Sequence, residues 1–303
     1  MADQPNIIVI LGPTASGKSD LAMRVAQKIG AQILSVDSMQ IYRHMNIGTA
    51  KPSAAERQQV VHHLIDVVNP DETFAVAQFV EQADQIISDS VRRNIPLIAT
   101  GGTPLYYKSL FEGLFEGPSA DANLRLRLSA TPLAELHTRL QRIDPAAAQR
   151  IHVNDRRRLV RALEVYELTG QAISSFQTEW TSGQARHAAR WFGLNWDRDE
   201  LNRRINARVK TMIDAGWVDE TRDLLKRFDA LSKTAVEATG YRELIDQLQG
   251  KMSLDNAIEQ IKIATRQLAR RQMKWFRRFK HVQWLQGNSS PGELVEQVMN
   301  SFH

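Results

Sequence analysis

The sequence has no cysteine among its 303 residues, which excludes disulfide bonds and cysteine-ligated zinc. It also lacks a long apolar run, because the stretch 7–11 is too short for a signal peptide or a membrane helix, and residues 1–6 carry no basic segment. Internal repeats and low-complexity segments are missing as well. With an apolar content of 43%, the chain is expected to be a globular protein of a reducing compartment, cytoplasmic and without membrane contact.

One half of the chain has no excess of positive charge. Residues 1–150 hold 14 Lys and Arg against 15 Asp and Glu, whereas residues 151–303 hold 25 against 19. The net charge of +5 therefore belongs to the second half. A basic half is typical of a protein that contacts a polyanion such as nucleic acid. It is equally compatible with solvated helix faces, so charge alone does not choose between the two interpretations.

Short β-rich runs alternate with helical periodicity through the first hundred residues. This alternation predicts a doubly wound α/β fold with a mainly parallel sheet. The predicted strands are residues 6–11, 32–36, 63–68 and 95–100, and the predicted helices are residues 18–29 and 76–93.

The pattern changes after about residue 118. Residues 121–178 show helical periodicity without a strand candidate, and Asp144-Pro145 predicts a helix start, because Asp caps a helix and Pro suits its first position. We therefore predict an α/β core of residues 1–118 and 191–303 with an inserted all-helical domain, residues 119–190. The C-terminal part of the core is predicted to be helical and basic. Its predicted elements are strands 190–195 and 281–285 and helices near 199–215, 218–228, 241–248 and 254–279.

Eight residues after the first predicted strand fit the phosphate-binding pattern G-x-x-x-x-G-K-[ST], and a helix follows them. Glycines let backbone N–H groups converge on phosphate oxygens, and the helix N-terminus adds its positive end. Lys18 supplies a mobile charge, and Ser19 is the candidate ligand of a Mg²⁺ cofactor. The core is therefore predicted to be a P-loop fold. Its diphosphate- or nucleotide-binding residues are Gly12, Pro13, Thr14, Ala15, Ser16, Gly17, Lys18 and Ser19.

A P-loop does not define a reaction. Most such loops bind nucleoside triphosphates, so the default interpretation is an ATP-binding small-molecule kinase or NTPase. That interpretation requires an aspartate at the end of a neighbouring strand to assist Mg²⁺, and Asp37 and Asp66 are both candidates. The arginine-rich helical insertion would then be its lid.

Seven segments, in order along nearly the whole chain, carry a resemblance to a known family. They are GPTASGKS (12–19), DSMQIYR (37–43) with MNIGTAKP (45–52), HHLID (62–66), GGTPLYYKSLFEGL (101–114), HVNDRRRLVRALEVYELTG (152–170), TGYREL (239–244) and TRQLARRQMKWFR (265–277). Long blocks of mixed composition do not agree by chance. The segments resemble the bacterial tRNA dimethylallyltransferase family, also called tRNA isopentenyltransferases or IPP transferases.

This resemblance implies a transferase that moves the dimethylallyl group of dimethylallyl diphosphate to N6 of the adenosine just 3′ of a tRNA anticodon. Diphosphate is the leaving group, so a kinase-like loop would be reused without a triphosphate. The implied partners are tRNA, through its anticodon stem-loop, and dimethylallyl diphosphate. No obligate protein partner is expected, and a monomer is the default oligomeric state.

Three residues are candidates for catalysis. The adenine amino group is a poor nucleophile, so a carboxylate that accepts one N6 proton would help it. Asp37 follows the second predicted strand, expected to lie next to the P-loop strand, at the edge of the sheet where ligands bind; the alternative is a turn or capping aspartate. The resemblance makes Thr103 a contact to the adenosine or the diphosphate, with a plain strand-to-helix turn as the alternative. It also makes Arg208 a diphosphate contact, although Arg203 and Arg204 carry the same charge and helical phase does not choose between them.

An adenine in a folded anticodon loop has to leave its stack, which costs roughly a few kcal/mol and requires contacts elsewhere. Residues 264–281 mix basic with aromatic side chains and contain no acidic residue, a composition suited to phosphate contact and base stacking. The alternative is a core stripe with arginines on its wet face. The positions that match tRNA-contacting segments of the family are Asp37, Ser38, Met39, Gln40, Thr103, Arg125, Arg157, Arg158, Leu159, Val160, Arg161, Glu237, Gly240, Tyr241, Arg242, Arg270, Arg271, Gln272, Lys274, Trp275 and Arg277.

Three other functions stay open on the sequence alone. They are a small-molecule P-loop kinase, a non-catalytic RNA-binding P-loop protein, and an enzyme that prenylates free adenine nucleotide, as cytokinin-forming enzymes of similar sequence do. The large basic second half disfavours the last of these. His62 and His63 are expected to be structural rather than catalytic.

Overall fold

The computed structural model describes residues 7–113, 117–176 and 185–300. The chain forms two compact units, Met1–Leu110 with His187–His303, and Phe111–Arg186. We call the first the core unit and the second the helical unit. The helical unit begins and ends a few residues earlier than the range 119–190 proposed from the sequence.

Six strands of the described residues form one sheet in the core unit, and all neighbouring strands are parallel. The strands are β1 (Ile7–Leu11), β2 (Gln32–Ser35), β3 (His62–His63), β4 (Leu97–Gly101), β5 (Arg190–Asn195) and β6 (Val282–Gln286). Their order across the sheet is β3-β2-β4-β1-β5-β6. The predicted doubly wound, parallel α/β class is confirmed.

Two predictions about this sheet are wrong. β2 does not neighbour the P-loop strand β1, because β4 pairs with both and lies between them. The predicted strand 63–68 is reduced to His62–His63 and an isolated bridge at Val68. Leu64 and Asp66 adopt left-handed φ angles of 59° and 56°, which an extended strand does not allow.

The helices of the described residues confirm the predicted helical segments, with small shifts at their ends. None of them is long and apolar enough to cross a membrane. In chain order they are α1 (Lys18–Ile29), α2 (Ala54–Gln59), α3 (Val76–Arg92), α4 (Pro104–Glu112), α5 (Ala122–Ala130), α6 (Leu133–Ile143), α7 (Pro145–Arg150), α8 (Arg156–Thr169), α9 (Ile173–Phe176), α10 (Arg198–Asp214), α11 (Trp217–Arg227), α12 (Lys233–Val236), α13 (Tyr241–Leu248), α14 (Leu254–Phe276) and α15 (Pro291–Met299).

The central strand β1 is buried along its whole length, as expected for a continuous apolar run in a parallel sheet covered by helices. Ile8 and Ile10 of β1 share an apolar cluster with Leu21 of α1 and Leu294 of α15. This packing, and pairing with β4 on one side and β5 on the other, fix the carboxyl end of β1, where the P-loop starts.

The helical unit has an apolar core of its own. Leu128, Leu136, Leu140 and Leu163 are fully buried in one cluster. The predicted helix start at Asp144 is confirmed, since its carboxylate accepts the N–H of Ala147 at 2.9 Å. The described residues of this unit contain no strand, in agreement with the uninterrupted helical periodicity of the sequence.

Candidate active site

The carboxyl ends of three neighbouring strands bring three predicted segments together. Asp37 follows β2, Thr103 follows β4 and the P-loop follows β1. Because parallel strands end at the same edge of the sheet, these segments meet there, around a cavity of about 430 Å³. The predicted site residues that line it are Thr14, Lys18, Ser19, Asp37, Ser38, Met39, Gln40, Thr103, Arg208, Glu237, Tyr241, Arg271 and Gln272.

The P-loop has the shape of an anion site. Ala15 and Gly17 take left-handed φ angles of 64° and 89°, which turn the chain sharply into α1. Gly17 is the N-cap of α1, and no side chain of the described residues caps this helix end. The first N–H groups of α1 therefore keep their hydrogen-bonding capacity, and with it the positive end of the helix dipole, for a ligand. Gly12, Pro13, Ala15, Ser16 and Gly17 form the frame of the loop behind the lining residues.

Lys18 adds a charge that depends on its surroundings. Its ammonium donates to the Pro13 carbonyl oxygen at 3.3 Å. Burial, and secondly the nearby Arg208 guanidinium, lower the pKa of Lys18 to about 8, and Asp37 opposes them. Loss of hydration and a second cation both disfavour the charged form, whereas an arriving anion favours it.

Both carboxylate oxygens of Asp37 are fixed by backbone N–H groups. Oδ1 accepts the N–H of Met39 at 2.8 Å, and Oδ2 accepts the N–H of Gly102 at 3.2 Å. The first bond is the local turn that sequence reasoning offered as the alternative role of Asp37, and the structure contains it. The second bond joins the segments after β2 and β4. Asp37 also lines the cavity, so the turn aims the carboxylate rather than removing it from the site.

Thr103 ties the same two segments together. Its hydroxyl accepts the N–H of Ser38 at 2.9 Å, donates to Ser38 Oγ at 3.1 Å, and its own N–H donates to the Val36 carbonyl at 3.2 Å. Close approach explains the glycine two positions before Thr103, because a Cβ at Gly101 would lie 2.1 Å from the Val36 carbonyl oxygen. The proposed strand-to-helix turn is therefore present as well, and it presents Thr103 to the cavity.

The structure distinguishes the three arginines of α10 that helical phase could not. Arg208 lines the cavity, and its burial lowers its pKa while Asp37 opposes the shift. Arg203 is exposed and pairs with Glu200 on the same helix. Arg204 contacts the P-loop from outside the cavity, where its Nε donates to the Ala15 carbonyl at 2.9 Å.

Gln272 of α14 occupies an unexpected position. Its Oε1 accepts the N–H of Thr14 at 2.9 Å, and its Nε2 donates to the Gly102 carbonyl at 2.6 Å. The side chain is 5% exposed. Sequence matching grouped Gln272 with RNA contacts, whereas the structure shows a bridge between the P-loop and the segment that carries Thr103.

Sequence reasoning missed Glu220 of α11. Its carboxylate accepts the N–H groups of Asn46 and Ile47, both at 2.8 Å, and the hydroxyl of Tyr241 at 2.7 Å. These bonds hold the segment 45–52, whose carbonyls in turn accept the amide of Gln40. No local pattern marks Glu220, because Asn46 and Ile47 lie more than 170 positions away in the chain and Tyr241 lies 21 positions away.

Asp66 is not available as a magnesium ligand. Its oxygens accept hydrogen bonds from Lys51 at 2.6 Å and Arg57 at 2.7 Å. The two histidines predicted to be structural each accept or donate one hydrogen bond, His62 with the Val60 carbonyl and His63 with Gln32.

The predicted RNA contacts of the core unit fall into two groups. Glu237 and Arg242 are exposed, as are the α14 residues Arg270, Arg271, Lys274 and Arg277, while Trp275 is half-buried under the Arg278 guanidinium. Gly240 and Tyr241 are buried, and a Cβ at Gly240 would lie 2.0 Å from Trp217. The second group is therefore packed into the protein rather than open to a macromolecule, although Tyr241 borders the cavity.

The predicted RNA contacts of the helical unit also need correction. The side chains of Leu159 and Val160 are 0% and 7% exposed in the apolar core of this unit, so neither can meet a phosphate backbone. Arg125 and Arg161 are held by the fully buried carboxylate of Glu164, at 2.8 and 2.7 Å. Arg157 and Arg158 are exposed, and Arg158 pairs with Asp155 at 3.2 Å.

Fold and site together define a P-loop α/β protein in which a carboxylate and a half-buried arginine share the cavity of the phosphate loop. A family model described as IPP transferase matches residues 40–279, and one described as isopentenyl transferase matches residues 5–73. The chain belongs to the IPP transferase family.

Relatives and solved structures agree with this assignment. A tRNA dimethylallyltransferase of Geobacter metallireducens is 42% identical, with 99% of each chain covered. The crystal structure of the full-length tRNA isopentenylpyrophosphate transferase of Bacillus halodurans is similar, with a TM-score of 0.73, 36% identity and coverage of 98% of this chain and 95% of that chain. A eukaryotic dimethylallyltransferase acting on tRNA gives a TM-score of 0.83 at 27% identity, covering 98% of this chain and 79% of that chain.

Proposed function

We propose that this chain is a tRNA dimethylallyltransferase, which transfers the dimethylallyl group of dimethylallyl diphosphate to N6 of the adenosine just 3′ of the anticodon and releases diphosphate. The observation that carries the proposal is that Asp37 and the uncapped start of α1 border one cavity. The reaction needs an anion site and a base within reach of one substrate pair. Similarity to relatives named for this activity supports the proposal, and such an enzyme would meet its tRNA in the cytoplasm.

The P-loop side of the cavity would hold the leaving group. Negative charge grows on the bridging oxygen of the diphosphate as its bond to the allylic carbon breaks. The N–H groups at the start of α1, the Lys18 ammonium and the Arg208 guanidinium can stabilise that charge. These groups are in place before substrate arrives, so the site requires little reorganisation at the moment of transfer.

Asp37 would act on the nucleophile. Oδ1 accepts the N–H groups of Met39 and Gln40, whereas Oδ2 accepts only that of Gly102 and keeps further acceptor capacity. One oxygen would take the proton that N6 loses as the new carbon–nitrogen bond forms. Thr103, bonded to Ser38, would keep the two segments that frame the adenine in register.

A Mg²⁺ ion fits this site with a small protein contribution. No group of three or more His, Asp or Glu side chains in the described residues could hold a metal by itself. Ser19 borders the cavity and can supply one hydroxyl ligand, and Mg²⁺ readily completes its shell with phosphate oxygens and water. When bound, the ion would neutralise charge on the diphosphate.

Transfer of a labelled dimethylallyl group from its diphosphate to undermodified tRNA tests the proposal. We expect labelled tRNA with the wild-type protein and about a 1,000-fold lower kcat for Asp37→Asn, which keeps the shape of the side chain but loses the base. Binding of tRNA should change by no more than about twofold, since the contact area is retained. Asp20→Asn, which removes the same charge from the exposed face of α1, is the matched control.

Two outcomes would change the assignment, and a third would change the role of Asp37. Consumption of ATP with a small acceptor, and no label in tRNA, would favour the small-molecule kinase. Label in free adenine nucleotide but not in tRNA would favour the nucleotide prenyltransferase. Full activity of Asp37→Asn in a folded protein would leave the reaction intact and remove Asp37 as its base.

A further inference from the structure

Two side chains hold the outer side of the P-loop, away from the ligand-facing N–H groups. Arg204 Nε donates to the Ala15 carbonyl at 2.9 Å, and Trp196 Nε1 donates to the Ser16 carbonyl at 2.9 Å. Neither residue borders the cavity. Both bonds end on carbonyl oxygens of consecutive peptide groups in the loop.

Arg204 and Trp196 also contact each other. The Arg204 guanidinium lies over the Trp196 ring at 4.2 Å, within the range of a cation–π interaction. Trp196 follows β5 and is half-buried against a small apolar cluster that contains Ala15, Leu201 and Ile205. The pair is therefore anchored to the sheet and to α10 rather than to the loop alone.

The planarity of the peptide group makes these outer bonds relevant to the inner surface. In a trans peptide the C=O of one residue and the N–H of the next point in opposite directions. A Ser16 carbonyl held outward by Trp196 therefore directs the Gly17 N–H inward. The Ala15 carbonyl held by Arg204 likewise fixes the Ser16 N–H, which closes the loop on the Pro13 carbonyl at 3.2 Å.

The P-loop backbone is strained at Ala15, and the hydrogen bonds from Arg204 and Trp196 counteract the relaxation of that strain. Ala15 has a φ of 64°, a left-handed conformation that costs a non-glycine residue roughly 1 kcal/mol or more. A loop under such strain relaxes if its peptide groups are free to rotate. Hydrogen bonds from an anchored arginine and tryptophan restrain that rotation.

We propose that Trp196 and Arg204 are positioning residues that preorganise the P-loop for diphosphate without touching it. The inference rests on the proposed function, because it takes the ligand to be a diphosphate. Arg204 thereby differs from Arg208, which borders the cavity, and from Arg203, which is likewise exposed but pairs with Glu200 instead of the P-loop.

Calorimetric titration with inorganic diphosphate in magnesium-containing buffer tests the inference on the full-length protein. Trp196→Phe keeps an aromatic ring, although a smaller one, and all charges but removes the N–H donor, and we expect it to weaken diphosphate binding about 3- to 10-fold. Arg204→Met should weaken binding at least as much, because the guanidinium also stacks on the tryptophan. Arg203→Met removes the same charge one position earlier and should leave the affinity within about twofold.

Two further measurements separate positioning from general stability. Binding of tRNA, measured by filter retention, should stay within about twofold of wild type in all three variants. Thermal unfolding gives the folded fraction, and a merely structural role would lower the melting temperature without changing the affinity of the folded protein.

Equal affinities of wild type and Trp196→Phe would overturn the inference, as would equal losses in Arg203→Met and Arg204→Met, which would reduce the effect to net charge. A wild-type protein that binds no diphosphate would overturn both the inference and the proposed function. The expected pattern of diphosphate affinities without any label in tRNA would contradict the proposed function alone.

Discussion

Two arginine-rich helices of this protein look alike in sequence and differ in structure. On α8 the arginines are largely committed to partners within the helical unit. Arg158 pairs with Asp155, Arg161 pairs with Glu164, and Arg156 donates to two backbone carbonyls. These cations are part of the internal framework of that unit.

Four of the basic side chains on α14 have no partner among the described residues. Arg270, Arg271, Lys274 and Arg277 are exposed, and the described part of the chain offers them no ion pair or hydrogen bond. The one arginine before them on the helix, Arg266, donates to Asn206. A run of basic residues is thus a surface for a polyanion only where the fold leaves its charges unpaired. The comparison predicts that changes on α14 alter RNA binding and changes on α8 alter stability.

Charge reversal on α14 should have the largest effect. We expect the double variant Arg270→Glu and Arg271→Glu to bind tRNA about 100-fold more weakly at low salt, because two phosphate contacts become repulsive. The slope of log affinity against log salt concentration should fall in magnitude by about two. Filter binding at several salt concentrations measures both quantities.

The matched control reverses another adjacent pair, Arg92 and Arg93, at the end of α3. This pair precedes β4 and so lies toward the amino edge of the sheet, away from the cavity. Its reversal changes the net charge equally and should leave the salt slope near the wild-type value. Equal losses in the two double variants would show that α14 acts only through the net charge of the protein.

Removing the buried carboxylate of α8 should have the next largest effect, on stability. Glu164 is fully buried and accepts hydrogen bonds from Arg125, Arg161 and the Asp121 N–H. We expect Glu164→Gln to destabilise the helical unit by about 2 kcal/mol, roughly a 30-fold change in its folding equilibrium, since charge-assisted bonds are lost in the interior. Hydrogen exchange of the α8 amides measures this, with β1 amides as the internal reference.

The contribution of Glu164 to stability should depend on pH. Burial tends to raise the pKa of Glu164, but the hydrogen bonds from Arg125 and Arg161 outweigh it and hold the pKa below its ordinary value of 4.5. A carboxyl whose pKa is lower when folded stabilises the fold above its unfolded pKa, and the contribution is lost as pH falls through the folded pKa. The stability gap between wild type and Glu164→Gln should therefore be constant from neutral pH to about pH 5 and shrink below it. A gap that does not change with pH would show that packing, not charge, makes the difference.

The Glu164 and Arg270 predictions show where sequence reasoning succeeds and where it stops. Periodicity identified the class of fold, the strands apart from the extent of β3, and the longer helices, and a sequence motif identified the P-loop, because these depend on residues close together in the chain. The shorter helices α2, α4, α12 and α15 were not predicted. Strand order was beyond sequence reasoning, since only long-range pairing places β4 between β1 and β2. The sequence also could not show which arginines have partners within the protein, because Arg125 and its partner Glu164 lie 39 positions apart.

The same limit applies inside the site. Asp37, Thr103 and the P-loop follow strand ends, where position along the chain already predicts position at the sheet edge. Gln272 and Arg204 act across 258 and 189 positions, on loops whose location depends on the completed sheet. Their sequence context, a helix rich in arginine, resembles that of a surface residue.

A third variant tests the inward side of α14. Gln272→Met retains the length of the side chain but loses the bonds to Thr14 and Gly102. We expect kcat to fall about 10-fold, because the spacing between the leaving-group site and the base is less well fixed, with tRNA affinity within about twofold. Separate measurements of tRNA affinity and of the single-turnover rate distinguish a loss of catalysis from a loss of RNA binding. Weaker tRNA binding at an unchanged rate would instead make Gln272 an RNA contact, as its segment suggested.

The smallest effect is expected at Arg157, the exception on α8. It is exposed, and the described residues provide it with no ion pair or hydrogen bond, unlike its neighbour Arg158. Arg157→Ala should therefore behave like an α14 variant, with tRNA affinity lowered about 3-fold, a salt slope reduced by about one and stability within about 0.5 kcal/mol of wild type. Arg158→Ala, the matched control, should leave RNA binding unchanged and cost a few tenths of a kcal/mol of stability. If Arg157→Ala and Arg158→Ala bound RNA equally well, an ion-pair partner within the protein would not be what distinguishes structural arginines from RNA-binding ones. The contrast between α8 and α14 would then need another physical cause.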